Sequence, residues 1–484
     1  MAKTSIIRSN LIFGGAQIVQ MLTIVLRAKL IAVMLGSAGM GLNAILQSVL
    51  HIINNVCACG IMQSSVREIS QVYAEENKDK LYFKINVFRR LLLLSASLGL
   101  AICVLGAWPL SYVSLGDTSY IISFIVLGLG TMFFTLMQGE ISILQGTRQV
   151  KALAASSIAG SLLSLAVCVP CYYYFGMKGI ALSIAIANFV YWLIYLYFTR
   201  KIKAQKSTIS LKQALIEGKA MITLGFVLML GSFLVTFFTY LTNISIRLFG
   251  SINDVGLYQG AAAIATQSIL VVTSVLAADF FPRLSAVVND REEQNSLVNE
   301  QFNIVVLSVV SIASIVVCFA PLIIRLLLSA DFLVVSSMLK LMAVGLLFRG
   351  VWIVMSYIIL AKGDRKAYFI YDGLIGNGLN YLISIAAYYL GGLTGIGIAN
   401  VMASIIVATI LFAVAYQKYG VRLTKKSRQI LLIAIVFIVL SFTLSSCCGN
   451  VSLLCMFATM AWSLYQLNKQ YHLFASIQNR FKRN

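Results

Sequence analysis

Leu35–Asn54 reads LGSAGMGLNAILQSVLHIIN and lies between two apolar runs. Leu35-Gly36-Ser37 breaks the first run and Gly41-Leu42 opens the second. The polar residues that follow, Asn43, Gln47, His51 and Asn54, stand at i, i+4, i+8 and i+11. That spacing puts them on one face of a helix that is otherwise apolar. The pattern returns about 215 residues later, where Phe249-Gly250-Ser251 leads to Gly256-Leu257-Tyr258 and a helix ending at Pro282-Arg283-Leu284-Ser285. Further on, Ile143-Leu144 and then Tyr173-Tyr174-Phe175-Gly176 through Ile180 matches Ile359-Leu360 and then Tyr388-Tyr389-Leu390-Gly391 through Ile396, at an offset of about 216. Each repeat spans six helices. An even number gives both copies one orientation, so the repeat is parallel, about an axis along the membrane normal. That arrangement suits an alternating-access transporter with its site between two lobes.

Composition agrees. The chain has 484 residues, 60% hydrophobic and only 11% charged, against roughly 25% charged in a soluble domain; the mean hydropathy is +0.91. A soluble enzyme, a secreted disulfide scaffold and a disordered regulator are excluded. The expected class is an all-α polytopic membrane protein with about fourteen spans: 9–33, 39–63, 84–108, 118–146, 151–175, 179–199, 217–247, 255–278, 301–327, 334–361, 367–390, 394–417, 428–448 and 450–468. The second and eighth are the most polar. The expected domains are an N-lobe over 1–206, a C-lobe over 207–424 and a C-terminal helix pair over 425–484.

The net charge is +21, which in a soluble protein suggests nucleic acid. Membrane proteins instead gather Lys and Arg in cytoplasmic loops. With both termini cytoplasmic, 30 of the 37 basic residues fall on the inside, all except Arg27, Lys29, Lys178, Arg247, Arg325, Lys340 and Arg349. This bias predicts that orientation and no nucleic-acid partner. The first apolar run is expected to be a retained span, not a signal peptide, because it outruns signal length. The longest cytoplasmic connections are expected as loops near 64–83, 200–216 and 279–300.

Soluble-enzyme chemistry has no footing. There is no phosphate-binding Gly-x-x-x-x-Gly-Lys-Ser/Thr, no His-Glu-x-x-His, and only two histidines, His51 and His472. Cys168 and Cys171 have C-x-x-C spacing but no second pair. The nine cysteines read as small apolar residues, with a Cys447/Cys448/Cys455 disulfide as the alternative. No cofactor and no metal are expected. Energy must come from an ion or substrate gradient.

Stripes of polar residues recur on the repeat-matched first, second, seventh and eighth spans. Gln17, Gln20, Thr23 and Arg27 mark the first; Thr236, Tyr240, Asn243 and Arg247 the seventh; Gln259, Thr266 and Thr273 the eighth. Two readings stand: the four helices line a water-filled cavity, or the stripes bond helix to helix. Arg27, Arg247 and Arg349 lie at membrane depth, where each costs at least about 2.5–3.5 kcal/mol unless water, a partner or an anion meets it. The intramembrane acids, Glu140, Asp279 and Asp372, are expected near cytoplasmic ends. A net-positive cavity follows, suited to a pyrophosphate that arginine grips in bidentate fashion. Lys340 is expected to snorkel outward or face substrate.

These residues resemble a known family. Leu35-Gly36-Ser37-Ala38-Gly39-Met40-Gly41-Leu42, Val255-Gly256-Leu257-Tyr258-Gln259-Gly260, Phe281-Pro282-Arg283-Leu284-Ser285 and Ile359-Leu360-Ala361-Lys362-Gly363 look like the signatures of polysaccharide exporters. Over residues 1–420 the chain resembles Wzx-type O-antigen and lipid III flippases of the multidrug/oligosaccharidyl-lipid/polysaccharide exporter superfamily. The resemblance implies two six-helix lobes forming a V and an extra helix pair. It implies translocation of an undecaprenyl-pyrophosphate-linked oligosaccharide across the bacterial inner membrane, with the O-antigen polymerase and chain-length regulator as neighbours. The expected substrate residues are Arg27, Asn43, Gln47, His51, Asn243, Arg247, Gln259 and Arg349. Glu140 and Asp372 are the expected ion-coupling acids, with a structural ion pair as the alternative for each. A lipid II flippase, a multidrug antiporter and, in another class, a membrane glycosyltransferase are the rivals.

Overall fold

An apolar segment in a bilayer must satisfy its backbone within itself, and every expected span is helical in the computed structural model, which describes residues 2–200, 202, 209–447 and 449–471. Lys201, Lys203, Lys206, the expected lobe boundary at 206–207, Cys448, His472 and the basic residues of 480–483 lie outside the described residues. Among the described residues there is no strand.

The chain divides into two units, one over Met1–Gly256 with Leu327–Ser329, the other over Leu257–Leu326 and Ala330–Asn484. The first holds α1 (Ala2–Ala58), α2 (Ile61–Ala74), α3 (Lys78–Leu105), α4 (Ala107–Leu115), α5 (Ile121–Gly146), α6 (Val150–Phe175), α7 (Gly179–Thr199), α8 (Leu211–Glu217), α9 (Lys219–Phe249) and the first turn of α10 (Ile252–Val275). The second holds the rest of α10, then α11 (Phe281–Ala286), α12 (Arg291–Leu327), α13 (Ser336–Ala361), α14 (Arg365–Ala367), α15 (Asn377–Tyr419), α16 (Lys425–Cys447) and α17 (Gly449–Tyr471).

Nine helical segments among the described residues are long and apolar enough to cross a membrane; Gly14–Ala58, Val150–Thr199 and Arg365–Tyr419 run 45, 50 and 55 residues. At about 1.5 Å per residue each exceeds twice the ~30 Å bilayer core, so each makes two crossings. They turn at Gly36, at Gly176 and at Gly391–Gly392, between the spans expected on either side. The more polar α10 and α17 complete the fourteen.

The repeat is visible in the backbone. Gly176 (φ 52, ψ −131) and Gly392 (φ 58, ψ −146) occupy equivalent places in the two copies and share a conformation that only glycine adopts without strain. The turn before each of these hairpins repeats as well. Thr147, Arg148 and Val150 donate to Ile143, Gln145 and Arg148, while Lys362, Gly363 and Arg365 donate to Ile358, Leu360 and Gly363.

One expectation changes. The loops expected at 64–83, 200–216 and 279–300 are partly helical: α2, α8, α11 and the start of α12 occupy them. In α2, Ile61, Ser64, Ser65 and Ile69 are buried on one face, a spacing that hydropathy averaging hides behind Arg67 and Glu68. Lys340 donates to the Ser445 carbonyl at 3.1 Å, near the C-terminus of α16, where a cation complements the helix dipole. Cys168, Cys171 and Cys455 are free thiols.

Candidate functional site

Association of membrane helices depends on close packing and hydrogen bonds rather than on hydrophobicity, and both join α1 to α9. Asn243 Nδ2 donates to Ser48 Oγ at 3.5 Å, and Asn55 Nδ2 to Thr236 Oγ1 at 3.0 Å. On α2, Ser64 Oγ donates to the Met221 carbonyl at 2.7 Å. As the number rises on one side it falls on the other, so one antiparallel seam runs from Ser48–Asn243 to Ser64–Met221. Beyond its first end, Ser37 Oγ donates to Asn253 Oδ1 at 3.2 Å. There Gly41 and Gly256 meet: a Cβ on Gly41 would lie 2.0 Å from the Ile252 carbonyl oxygen, and one on Gly256 1.8 Å from that of Ser37. Both pairs are 215 apart (256 − 41 and 252 − 37). The two copies of the repeat therefore touch through their signature glycines.

The stripe on the second span divides. Asn54 is buried and accepts from Thr135 Oγ1 on α5 at 2.9 Å. His51 is exposed, its ring edge-on to Phe134 at 5.3 Å. Asn43 and Gln47 are half-buried, and Asn43 Oδ1 is buried without a hydrogen-bond partner. Asn243 is 1% exposed in the seam.

Arg27 sits on α1 with its Nε donating to Tyr172 Oη on α6 at 3.4 Å. Ser183 Oγ donates to the same hydroxyl at 3.2 Å. Arg27 Nη2 is buried with no partner. Arg247, on α9, donates from Nη2 to the Val113 carbonyl at 3.1 Å and lies against Gly116, with its Nε buried and unpartnered. Nearby, Tyr240 Oη and Ser114 Oγ are 2.9 Å apart. Both guanidinium groups thus rest on neutral oxygens. They share none of these partners, so the structure does not join them in a single clamp. Glu140 is 5% exposed and pairs with Arg89 Nη2 at 2.8 Å, and that nitrogen also reaches Thr199 Oγ1 at 3.4 Å.

In the second unit, Arg349 stacks on Trp352, its guanidinium carbon 3.5 Å from the ring centroid. Trp352 Nε1 and Ser356 Oγ each donate to Asp372 Oδ1 at 2.5 Å. Trp352 thus stands between Arg349 and Asp372, touching the first through its ring face and the second through its N–H, without a direct ion pair between the two charges. Asp372 lies in a π-helical stretch, Tyr368–Gly376, a local widening frequent at functional sites. Asn377 Nδ2 bonds the carbonyls of Asp372 and Gly373 there, at 3.0 and 2.9 Å. A second π-helical stretch, Leu276–Phe280, contains Asp279, which pairs with Arg283 at 3.1 Å. Gln259 is half-buried on α10. Among the described residues no three His, Cys, Asp or Glu side chains gather as metal ligands.

The sequence reading missed Tyr172, Ser48, Asn55, Trp352 and Ser356. Trp352 and Ser356 follow Arg349 at i+3 and i+7, a one-face signal that was available. Tyr172 is 145 residues from Arg27, and no local pattern announces it.

A family profile described as "Polysaccharide biosynthesis protein" matches residues 6–288, more than half of the chain. No curated protein matches the sequence. Among solved structures, the lipid II flippase MurJ in an inward closed conformation is similar at TM-score 0.72 and 17% identity, over 95% of this chain and 99% of that one. A multidrug resistance MATE family transporter of the MOP superfamily, in an inward-facing conformation, is similar at TM-score 0.67 and 17% identity, over 86% and 95%. A MOP superfamily transporter from Pyrococcus furiosus, described by a binding pocket of reverse polarity, gives TM-score 0.57 and 17% identity over 89% and 96%. The chain has the fold of these exporters.

Proposed function

Since the chain belongs to the family of polysaccharide biosynthesis proteins and has the fold of lipid and multidrug exporters, we propose that it is a flippase for an undecaprenyl-pyrophosphate-linked oligosaccharide. It carries the repeat unit of an O-antigen or related surface polysaccharide from the cytoplasmic to the periplasmic leaflet of the inner membrane, with both termini cytoplasmic. The O-antigen polymerase and chain-length regulator act on the delivered unit. The observation that carries this reading is Arg27, whose Nη2 is buried without a partner and whose Nε rests on a neutral phenol. The one acid expected at membrane depth in the first unit, Glu140, is already committed to Arg89. A guanidinium so placed is completed by an anion, and a pyrophosphate supplies the planar oxygen edge it fits.

Arg27 takes the pyrophosphate, and Arg247, which shares no partner with it in this structure, joins it as the carrier rearranges. Asn43, Gln47, His51, Asn243 and Gln259 meet sugar hydroxyls as the α1–α9 seam opens, and the prenyl chain stays in lipid. Arg349 contributes positive potential, and Asp372 is the coupling acid: its oxygen is held by the neutral donors Trp352 and Ser356, so a proton or sodium ion changes its charge without breaking an ion pair. Glu140 is the second candidate and the less suited, being neutralised in place.

The test is flipping of a fluorescent undecaprenyl-pyrophosphate oligosaccharide in proteoliposomes under an imposed proton or sodium gradient. A charge-assisted contact is worth about 1.5–3 kcal/mol, so Arg27→Gln lowers the rate roughly ten- to hundredfold while Arg27→Lys retains part of it. Parental flipping by Arg27→Gln refutes the assignment. A second reading, lipid II transport, draws on the similarity to MurJ; exchanging the oligosaccharide for lipid II in the same vesicles decides between the two.

A further inference from the structure

We infer that the cleft between α15 and α16 is a binding site for the phosphate headgroup of an anionic phospholipid. Asp372 is the last acidic residue of the chain, and no Asp or Glu follows it. Lys418 borrows Asp364 from before that point, at 2.8 Å. Arg422 and Arg428 have no ion pair among the described residues, and both are exposed. Together with Phe412, Tyr416 and Leu423 they line a cleft of about 470 Å³. Two arginines and two stacked aromatic rings, 6.5 Å apart, thus face one space.

The arginines do not hang from a loose loop. Asn295 donates to the Gly420 carbonyl at 3.3 Å and accepts from the Arg422 amide at 2.7 Å. Asn299 donates to the Arg422 carbonyl at 2.8 Å and accepts from the Thr424 amide at 2.8 Å. Two asparagine side chains on α12 therefore hold residues 420–424 as a neighbouring strand would, with Arg422 fixed at both its N–H and its C=O. Thr424 Oγ1 then accepts from the Ser427 amide at 3.1 Å, which sets the first turn of α16 and the position of Arg428. A preorganised pair of guanidinium groups binds at a lower entropic cost than a mobile one.

Place selects the lipid. The apolar span before the cleft ends at Tyr419 and the next begins at Lys425, so the cleft lies at a membrane–water boundary. Aromatic rings sit at that level in membrane proteins, and basic pockets between helix ends hold anionic headgroups. The phosphate takes Arg422 and Arg428, and the glycerol and upper acyl chain lie along Phe412 and Tyr416. This inference uses only the crossing of a bilayer by α15 and α16, so it stands or falls apart from the oligosaccharide reading.

The test is native mass spectrometry of the full chain, released from mixed micelles of phosphatidylglycerol and phosphatidylcholine. A direct hydrogen bond from a cleft guanidinium to the phosphate is worth about 1 kcal/mol, or about fivefold. Arg422→Gln with Arg428→Gln therefore lowers the preference for phosphatidylglycerol about thirtyfold. Lys425→Gln with Lys426→Gln removes the same charge outside the cleft and leaves most of the preference. Equal losses in the two double variants would reduce the site to diffuse surface charge and overturn the proposal. Release of bound phosphatidylglycerol by millimolar inorganic pyrophosphate would also overturn it, assigning the cleft to a free phosphate compound. Unchanged preference in Arg422→Gln/Arg428→Gln does the same, and a thermal melt matching the parent shows that the variant is folded.

Discussion

Gly41→Ala tests whether the repeat-matched glycines form a gate. Its Cβ would stand 2.0 Å from the Ile252 carbonyl oxygen, and ordinary contact begins at 3.4 Å, so the helices must part by more than an ångström. For Gly256→Ala the approach is closer still, 1.8 Å from the Ser37 carbonyl oxygen. A shift of that size stretches the Ser37–Asn253 hydrogen bond from 3.2 Å to beyond bonding range. Overpacking of this kind costs about 1–3 kcal/mol, which moves a two-state closing equilibrium roughly five- to 150-fold. The assay is cross-linking of Ser37→Cys with Asn253→Cys in a chain whose native cysteines are replaced. Gly41→Ala should slow cross-linking at least about fivefold at the lower bound of that cost, whereas Gly14→Ala, which meets nothing within 4 Å, should leave it unchanged. In the flippase reading this end faces the periplasm, so the same variant holds the outer side open and slows turnover. Cross-linking and transport both at parental rates in Gly41→Ala would refute the reasoning, because no backbone contact that close survives a methyl group.

Two further outcomes follow from charges already paired. Arg89→Gln leaves Glu140 buried without its cation; losing one partner of a buried pair costs about 3–5 kcal/mol, and the 29% exposure of Arg89 lowers this to about 2–3. The double variant Arg89→Gln/Glu140→Gln should recover most of the melting temperature in detergent, and strictly additive losses would show that the two residues do not interact. Asp364, outside the spans, accepts from Lys418, the Ala367 amide and Tyr419, and Lys418 leads in holding its carboxyl down to about 2 from 3.8. Its folded value lies below its unfolded one, so the stabilisation is present above 3.8 and lost as the pH falls towards 2. Asp364→Asn should therefore melt below the parent at neutral pH, with the difference closing between pH 4 and pH 2; a difference that persists at pH 2 contradicts the cause given.

The helix boundaries were legible because an apolar run and a glycine break are local signals: Gly36, Gly176 and Gly391–Gly392 fall between the expected spans. The short helices were not. In α2, the buried Ile61 and Ile69 are too few to raise the average hydropathy, and only their spacing betrays the helix. The same limit governs the site. Periodicity shows that Asn43, Gln47, His51 and Asn54 share a helix face, but not what that face meets. Asn55 finds Thr236 at a separation of 181 residues and Asn243 finds Ser48 at 195. Arg349 illustrates the converse: Trp352, one turn on, stacks on its guanidinium and bonds Asp372, and intramembrane charge counted without the aromatic residues overlooks that link.

The two readings of the polar stripes, cavity lining and helix bonding, are therefore joined by the seam rather than opposed. A hydroxyl or amide at membrane depth must have a partner whether the seam is shut or open. Shut, Ser48, Asn243, Asn55 and Thr236 serve one another through contacts of 3.0–3.5 Å. In the flippase reading, opening lets water and sugar hydroxyls replace those contacts almost in kind, because interhelical hydrogen bonds in membranes are individually worth only about 0.6 kcal/mol. On that reading such residues leave the open and shut states near in energy, so that a modest difference in ligand affinity shifts the population. The glycine pair would act differently: the close approach of Gly41 and Gly256 would be lost, with nothing to replace it, if the seam parted. Polar residues along the seam keep its opening inexpensive, while small residues at its end define the closed state, so substitutions at the two kinds of position should separate rate effects from population effects.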